Sequence, residues 1–228
     1  MEQIIAEKQR YADTKLKEKP IYELTKRVFD FISSLLVSII ISIPCLIIAV
    51  IIIIVDPGNP FYVQERMGRN GKTIKMVKFR SMIKNAGDLE DMLTPEQYEQ
   101  YLKEYKLDND PRLLPRGVGK MIRKLSIDEL PQIFFNICLG GSMSVVGPRP
   151  IVHSELLDKY TLEQQKLLLS VKPGLTGYWQ AYARNNASYE SGRRQKMELY
   201  YIENRSVCFD IRILFQSVIS VLKRTGAQ

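Results

Sequence analysis

Two adjacent carboxylates follow a basic pair in Arg123-Lys124-Leu125-Ser126-Ile127-Asp128-Glu129-Leu130-Pro131-Gln132. One carboxylate can act as a nucleophile or base while the other holds a divalent cation that neutralises phosphate oxygens. That chemistry suits a phosphorylated substrate. The same residues also have the form of a helix start. Ser126-x-x-Glu129 reads as a capping box, with Asp128 in a first turn where the macrodipole favours acids. The two readings are compatible, because a helix N-terminus keeps an aspartate ionised, as a carboxylate nucleophile must be. Pro131 is tolerated only where a helix begins.

Two further places carry cations in restricted settings. In Val145-Val146-Gly147-Pro148-Arg149-Pro150 a proline on each side fixes the backbone around Arg149. This either preorganises the guanidinium for bidentate phosphate contact or makes a rigid loop with a solvated arginine. In Lys78-Phe79-Arg80-Ser81-Met82 the period of a strand sets Lys78 and Arg80 on one face. That face points toward a pyrophosphate or toward water.

The elements that must position these groups surround a long apolar segment. Phe31 to Val55 carries no charge and contains Pro44. As a helix it reaches about 37 Å, against about 30 Å for a bilayer hydrocarbon core. Both flanks are basic: Lys15, Lys17, Lys19, Lys26 and Arg27 before it, and a denser set from Arg66 to Lys84 after it. The positive-inside rule assigns the second flank to the cytoplasm and leaves the first with no suitable place outside. Two arrangements meet the pattern, a kinked transmembrane helix or a helix that bends and returns to the same side. Pro44 supplies a cause for a bend, and Ser42 can satisfy the freed carbonyl. A cleaved signal peptide is disfavoured by the length of the run and by Asp56-Pro57-Gly58 after it.

Composition agrees. The formal charge of +8 suits anionic lipid, phosphorylated substrates or nucleic acid. The last is the weakest choice, since no zinc-finger, helix-turn-helix or aromatic-interleaved basic motif is present. Cys45, Cys138 and Cys208 are widely spaced and odd in number, which suits buried thiols in a reducing compartment. His153 is the only histidine, which excludes HExxH zinc sites.

Along the chain, Asn70-Gly71 between Phe61–Met67 and Thr73–Arg80 predicts a hairpin with a type I′ turn. Thr94-Pro95 starts a helix to about Leu107, with shorter helices near 117–125 and 127–139. A short strand is expected at Val145-Val146. Thr161-x-x-Gln164 caps a helix to Val171, Pro173-Gly174 and Gly177 mark a loop, and helices near 188–203 and 207–223 close the chain. The last carries Lys223 and Arg224 at its end, and either lies in the membrane interface or packs on the core.

Read in order, these segments resemble the bacterial sugar transferase family, the small membrane-associated phosphoglycosyl transferases. The matching stretches are Lys26-Arg27-Val28-Phe29-Asp30, the apolar run with its proline, Gln64 to Gly68 and Lys78 to Met82. They continue through Ser126 to Gln132, Met143 to Pro150, Lys172 to Gly177, Trp179-Gln180 and Tyr200-Tyr201-Ile202. The resemblance implies a helix-rich α+β fold, membrane-associated, with a small β-hairpin in a cytosolic catalytic domain. It implies a basic helical segment over 1–25, a re-entrant Pro-kinked membrane helix over 26–56 and a catalytic domain over 57–228. The family's helix breaks at a Ser-Pro pair, whereas here Ile43 precedes Pro44 and the serine is Ser42.

The implied activity is transfer of a sugar 1-phosphate from a UDP-sugar to polyprenyl (undecaprenyl) phosphate, with release of UMP, at the start of exopolysaccharide, capsule or glycoconjugate synthesis. Asp128 matches the nucleophile of a covalent phosphosugar intermediate and Glu129 its Mg²⁺-associated partner. Lys78, Arg80, Arg123, Arg149, Gln180 and Arg184 are the expected substrate contacts. Expected partners are the nucleotide sugar, the lipid phosphate and bilayer lipid at the cytosolic face of a bacterial inner membrane, with no nucleic acid. A homo-oligomer is compatible with the pattern, and sugar and pathway stay open. Leu139-Gly140-Gly141-Ser142 departs from the Lys-Gly-Asp turn of many relatives, and the chain resembles a minimal catalytic form without the multi-span region of larger ones. The alternatives are a non-catalytic membrane scaffold of a polysaccharide assembly complex and a metal-dependent lipid phosphatase.

Overall fold

A computed structural model describes residues 19–104, 107, 110–183 and 192–222. The expected terminal cations Lys223 and Arg224 lie outside the described residues. In order the elements are α1 (Pro20–Val55), β1 (Phe61–Met67), β2 (Thr73–Phe79), α2 (Leu89–Met92), α3 (Pro95–Glu104) and α4 (Val118–Lys124). A 3-10 turn (Ile127–Glu129) and a π-helix (Ile133–Leu139) follow. Then come β3 (Ser144–Val146), α5 (His153–Lys159), α6 (Leu162–Leu168), β4 (Gly174–Thr176), α7 (Tyr178–Ala183), α8 (Arg193–Asn204) and α9 (Val207–Leu222). The described residues are helix-rich with two small sheets, β1 with β2 and β3 with β4.

Two compact units share these elements. One takes the described residues up to Ile40, Val63–Val77 and the chain from Pro131; the other takes Ile41–Tyr62 and Lys78–Leu130. Within the first, Met67, Val146, Leu156, Tyr201, Ile202 and Ile213 belong to the main core. Ile74, Met76, Ile137 and Met143 form a smaller cluster. Within the second, Ile52 near the end of α1 is fully buried with Phe79, Leu114 and Ile122.

Helix α1 stays helical on both sides of Pro44 and is long and apolar enough to cross a membrane. Much of its apolar surface is uncovered, including Ile32, Leu36, Ile40, Ile43 and Leu46. Its polar face is occupied. Lys26 pairs with Asp210 at 2.7 Å, Tyr22 donates to the same carboxylate at 2.8 Å, and buried Asp30 accepts the Val145 amide at 3.0 Å. Arg27 donates to the carbonyl of Ile137 at 2.8 Å and more weakly to that of Cys138, satisfying the end of the π-helix. Gly141, at φ +54°, lies against this guanidinium, which a Cβ would meet at 2.8 Å. This contact lies in the Leu139-Gly140-Gly141-Ser142 turn.

Several local expectations hold. Asn70 (φ 59°) and Gly71 (φ 69°) have the two positive φ values that a type I′ turn requires. Thr94 and Thr161 both form reciprocal capping boxes, with Gln97 and Gln164. Others are corrected. The segment expected as a loop at Pro173-Gly174 contains β4, which pairs in parallel with β3 through Ser144↔Gly174 and Val146↔Thr176. Gly147 and Gly174 permit this approach, since a Cβ on Gly147 would meet the Gly174 nitrogen at 2.7 Å. Ser126 is no cap: it adopts left-handed φ 53°, ψ 29°, and its side chain makes no capping bond. The expected helix over 127–139 is a 3-10 turn followed by a separate helical stretch from Pro131, which fits proline at a helix start.

Candidate functional site

The acid pair is presented by the alternation of its own short segment. Ile127 and Leu130 pack onto the Ile52, Phe79, Leu114 and Ile122 core. Three residues apart on a 3-10 turn they eclipse each other, so Asp128 and Glu129 are directed away from that core. The turn closes through bonds from the Glu129 amide to Ser126 and from the Leu130 amide to Ile127. Helix α4 holds the approach. Its Gly119 permits close backbone contact, since a Cβ there would meet the Leu114 nitrogen at 2.5 Å. The left-handed Ser126 then redirects the chain between α4 and the acids, a conformation that strains a side-chain-bearing residue.

Lys78, on β2, faces both acids. Its ammonium lies 3.9 Å from Asp128 and 3.7 Å from Glu129. These are loose contacts, longer than a charge-assisted hydrogen bond of about 2.8 Å. The Lys78 and Asp128 side chains are each 19% exposed and that of Glu129 is 40% exposed. Burial pushes the Asp128 carboxyl above its ordinary range; Lys78 opposes that rise, and the Glu129 charge adds to it. The expectation that a helix terminus would hold Asp128 ionised is therefore replaced: no capped helix begins at Ser126, and the adjacent lysine is the main group favouring the anion.

Behind the dyad stands a group the sequence did not signal as a unit. Asp110 accepts two bonds from the Arg112 guanidinium, at 2.8 and 2.7 Å, and the Arg112 amide at 3.0 Å. Burial alone would raise this carboxyl, but the Arg112 bonds outweigh it and hold Asp110 below the usual range. Arg123 lies 3.9 Å from Asp110 with 46% of its side chain exposed, a cation tethered at one end and open at the other. The available signal was Asp110-Pro111-Arg112 itself, since Asp commonly accepts the amide two residues on.

Arg80 takes a different role from Lys78. It is buried, and its guanidinium pairs with the Asp56 carboxylate at 2.5 Å and with the Asp56 carbonyl. It thereby ties β2 to the residue just past the end of α1. Nothing in the sequence paired them across the intervening hairpin strand.

In the other unit Arg149 sits in its rigid Pro-Arg-Pro setting, between the β3 strand and α5. Its amide donates to the Glu198 carboxylate at 3.1 and 3.3 Å, and its guanidinium lies 3.5 Å from Glu155. Arg194 completes the group, 3.5 Å from Glu155 and 4.3 Å above the Trp179 ring. Burial raises Glu198 to about 7 even with Arg194 beside it. Gln180, on α7, has a buried side-chain oxygen without a hydrogen-bond partner. Arg184 lies outside the described residues. Ser42 and Pro44 lie within α1.

Thus one unit gathers Lys78, Arg123, Asp128 and Glu129, with Arg80 engaged by Asp56. The other holds Arg149 and Gln180. Among the described residues no three His, Cys, Asp or Glu side chains form a metal-binding group. A cation here would rest on the dyad alone. That donor set fits Mg²⁺, which prefers hard oxygens, keeps several waters and commonly uses one or two carboxylates with substrate phosphates.

Chemically, the arrangement offers a partly shielded carboxylate with an adjacent ammonium, a second more exposed carboxylate and a tethered guanidinium. It suits attack on a phosphorus atom of an anionic substrate.

Comparison with known proteins agrees with this order of motifs. The family model described as bacterial sugar transferase matches residues 21–224. A UDP-galactose-lipid carrier transferase of Erwinia amylovora is 41% identical over 89% of this chain and 41% of its own length. An undecaprenyl-phosphate galactose phosphotransferase of Salmonella typhimurium is 42% identical over 89% of this chain and 41% of its own. The exopolysaccharide production protein ExoY of Sinorhizobium fredii is 39% identical, over 92% of this chain and 90% of its own length. The chain thus spans about two-fifths of the first two relatives and most of the third. The match over nearly all described residues, with the acid pair and its flanking motifs inside it, makes this chain a member of the bacterial sugar transferase family.

Proposed function

We propose that this protein transfers a sugar 1-phosphate from a UDP-sugar to undecaprenyl phosphate at the cytosolic face of a bacterial inner membrane, as an initiating step of exopolysaccharide or related glycan synthesis. The observation that carries the reading is the shielded Asp128 facing Lys78, in a chain whose relatives are named for lipid carrier and undecaprenyl-phosphate transfer. In the first half-reaction an Asp128 oxygen attacks the β-phosphorus and the bond to the bridging oxygen breaks. UMP leaves, and the sugar phosphate stays on Asp128 as an acyl phosphate. In the second, an oxygen of the lipid phosphate attacks that phosphorus and the Asp128 carboxylate departs.

Lys78 supports the anionic state of Asp128 before attack, and Arg123 offers its open face to phosphate oxygens. Glu129 is the residue suited to hold Mg²⁺, which would offset charge on the diphosphate. Partial burial limits water, which would otherwise hydrolyse the acyl phosphate.

The membrane arrangement we propose is re-entrant. The start of α1 is fastened to residues between 137 and 210 through Lys26, Arg27 and Asp30. Its end is packed with Phe79, Leu114 and Ile122. What supports this arrangement is the charge on both flanks of the apolar run, Lys19, Lys26 and Arg27 before it and the denser set from Arg66 to Lys84 after it, which favours a return to the same side. Pro44, with Ser42 beside it, is the place in the helix suited to a bend.

The experiment is UMP release from a panel of UDP-sugars in membranes supplied with undecaprenyl phosphate. Wild type is expected to release UMP with one or a few donors, dependent on the lipid, and Asp128→Asn to release none. Phosphate release without nucleotide sugar would instead identify a lipid phosphatase. For topology, single cysteines at Lys19 and Asn59 should both react only from the cytosolic side; a periplasmic position 19 would establish a span.

A further inference from the structure

The sequence also carries Lys26-Arg27 and Lys172-Pro173-Gly174, and the transfer reaction above gives neither a chemical task. In the structure they meet around a cavity of about 250 Å³ within a single unit. That is far above the roughly 15 Å³ that one water needs. Its lining is unusually cationic: Lys26, Arg27, Arg69, Lys172 and Arg205, against the two acids Glu23 and Asp30.

The pairing of these charges is uneven. Lys26 is neutralised by Asp210, and Arg69 and Arg205 share Glu23 at 2.9 and 4.0 Å. Arg27 bonds to neutral backbone carbonyls, so its charge has no carboxylate against it. Lys172 makes no ion pair or hydrogen bond among the described residues. Its ammonium is half-buried, and burial together with Arg27 and Arg69 draws its pKa below the usual lysine range. Glu23 and Asp30 offset this only in part, so two cations without a paired carboxylate face one cavity and destabilise each other, and an anion between them would relieve that. The rim is accessible, since the Arg69 and Glu23 side chains are 40% and 36% exposed.

Depth along α1 narrows the chemistry. Lys26 and Arg27 precede the first residue of the apolar run by five and four positions, about 6–8 Å along the helix. A bilayer's polar layer is about 5–7 Å thick on each side of its hydrocarbon. With Phe31 at the hydrocarbon boundary the cavity falls among phosphate groups. Guanidinium and ammonium groups arranged around one space are the usual recognition set for phosphate.

We propose that this cavity is a phosphate-binding site, formed by Arg27, Arg69 and Lys172, which takes the phosphate of an anionic phospholipid or a free phosphate from solution. It is separate in its residues from Asp128 and Glu129, and its test does not depend on turnover.

The test follows acetylation of Lys172 in delipidated full-length protein in maltoside micelles, read by peptide mass spectrometry with exposed Lys124 as internal reference. Three additions are compared: inorganic phosphate, phosphatidylglycerol, and diacylglycerol with the same acyl chains. Phosphatidylglycerol is expected to slow Lys172 modification at least tenfold without changing Lys124. Protection by that lipid alone identifies a membrane source, and equal protection by inorganic phosphate identifies a soluble one. No protection by either phosphate compound, or equal protection by diacylglycerol, would overturn the proposal. Native mass spectrometry supplies a second reading: wild type should retain one phosphatidylglycerol per chain, Lys172→Arg should keep it and Lys172→Met should lose it.

Discussion

The acid pair of the Lys78 unit and the Arg149 cluster of the other unit are both marked by short motifs rich in charge, yet they use that charge in opposite ways. Around Asp128 the contacts are long, 3.7 to 3.9 Å, and Glu129 and Arg123 keep 40% and 46% of their side chains exposed. Around Glu198 the carboxylate is buried and occupied by the Arg149 amide, with Glu155 shared between two guanidiniums. The exposed sides of Glu129 and Arg123 are available to a substrate, whereas the buried Glu198 carboxylate is committed to the Arg149 backbone. A motif identifies where charge is concentrated, and only packing decides which of the two it becomes.

The comparison breaks most sharply under matched carboxylate-to-amide substitutions. Asp128→Asn is expected to lower turnover by at least about 10⁴-fold while leaving the melting temperature within a few degrees, measured by UMP release and calorimetry on the same sample. A comparable loss from Glu198→Gln, with unchanged stability, would erase the distinction between the two regions.

Glu198→Gln should act through pH instead. The folded carboxyl titrates near 7, above the ordinary value of about 4.3, so between those values the folded state holds a proton that the unfolded state has lost. Stability from this group is therefore complete below about pH 4, falls as pH rises, and is gone above about pH 7. The shift corresponds to an upper bound of about 3–4 kcal/mol. The wild-type melting temperature should carry that decline between about pH 4 and 7, and Glu198→Gln should lack it while its Gln oxygen still accepts the Arg149 amide.

Lys78→Met tests the looser region by a smaller effect. Removing the Lys78 ammonium beside Asp128 should lower turnover about 100-fold. Because that ammonium opposes the rise caused by burial, its loss should also move the acid limb of the pH–rate profile to higher pH. An unchanged limb would mean that Lys78 does not set the protonation of Asp128. Smaller still, Thr161→Ala removes a capping box that contains none of the charged groups of either region and should cost about 1 kcal/mol of stability, read by denaturant unfolding, with no change in turnover.

What was legible in the sequence was whatever local chemistry decides. The Asn70-Gly71 turn follows from two positive φ values, and the Thr94 and Thr161 caps from side chains that reach their own third residue. The chemical dyad was legible because its two acids are adjacent in the chain. What failed was governed at a distance. Ser126 has the composition of a cap, but it lies in the left-handed region between α4 and the 3-10 turn, and its side chain does not cap the turn. The three-residue strands β3 and β4 are too short to carry a periodic signal and exist through one parallel pairing. Arg80 and Lys78 share a strand face by alternation, but Asp56 engages one and the acid pair the other, a division no spacing rule contains.

The same reasoning explains why the membrane segment was visible while its neighbours were not. Its uncharged length is a property of the sequence itself, whereas the fastening of Lys26 to Asp210 joins residues 184 positions apart.

Whether Asp128 carries the sugar phosphate is read by intact-mass analysis of the protein mixed with its UDP-sugar in the absence of lipid phosphate. Wild type is expected to gain one sugar phosphate, discharged when undecaprenyl phosphate is supplied, and Asp128→Asn to gain none. An adduct of the same mass on Asp128→Asn would contradict that role for Asp128.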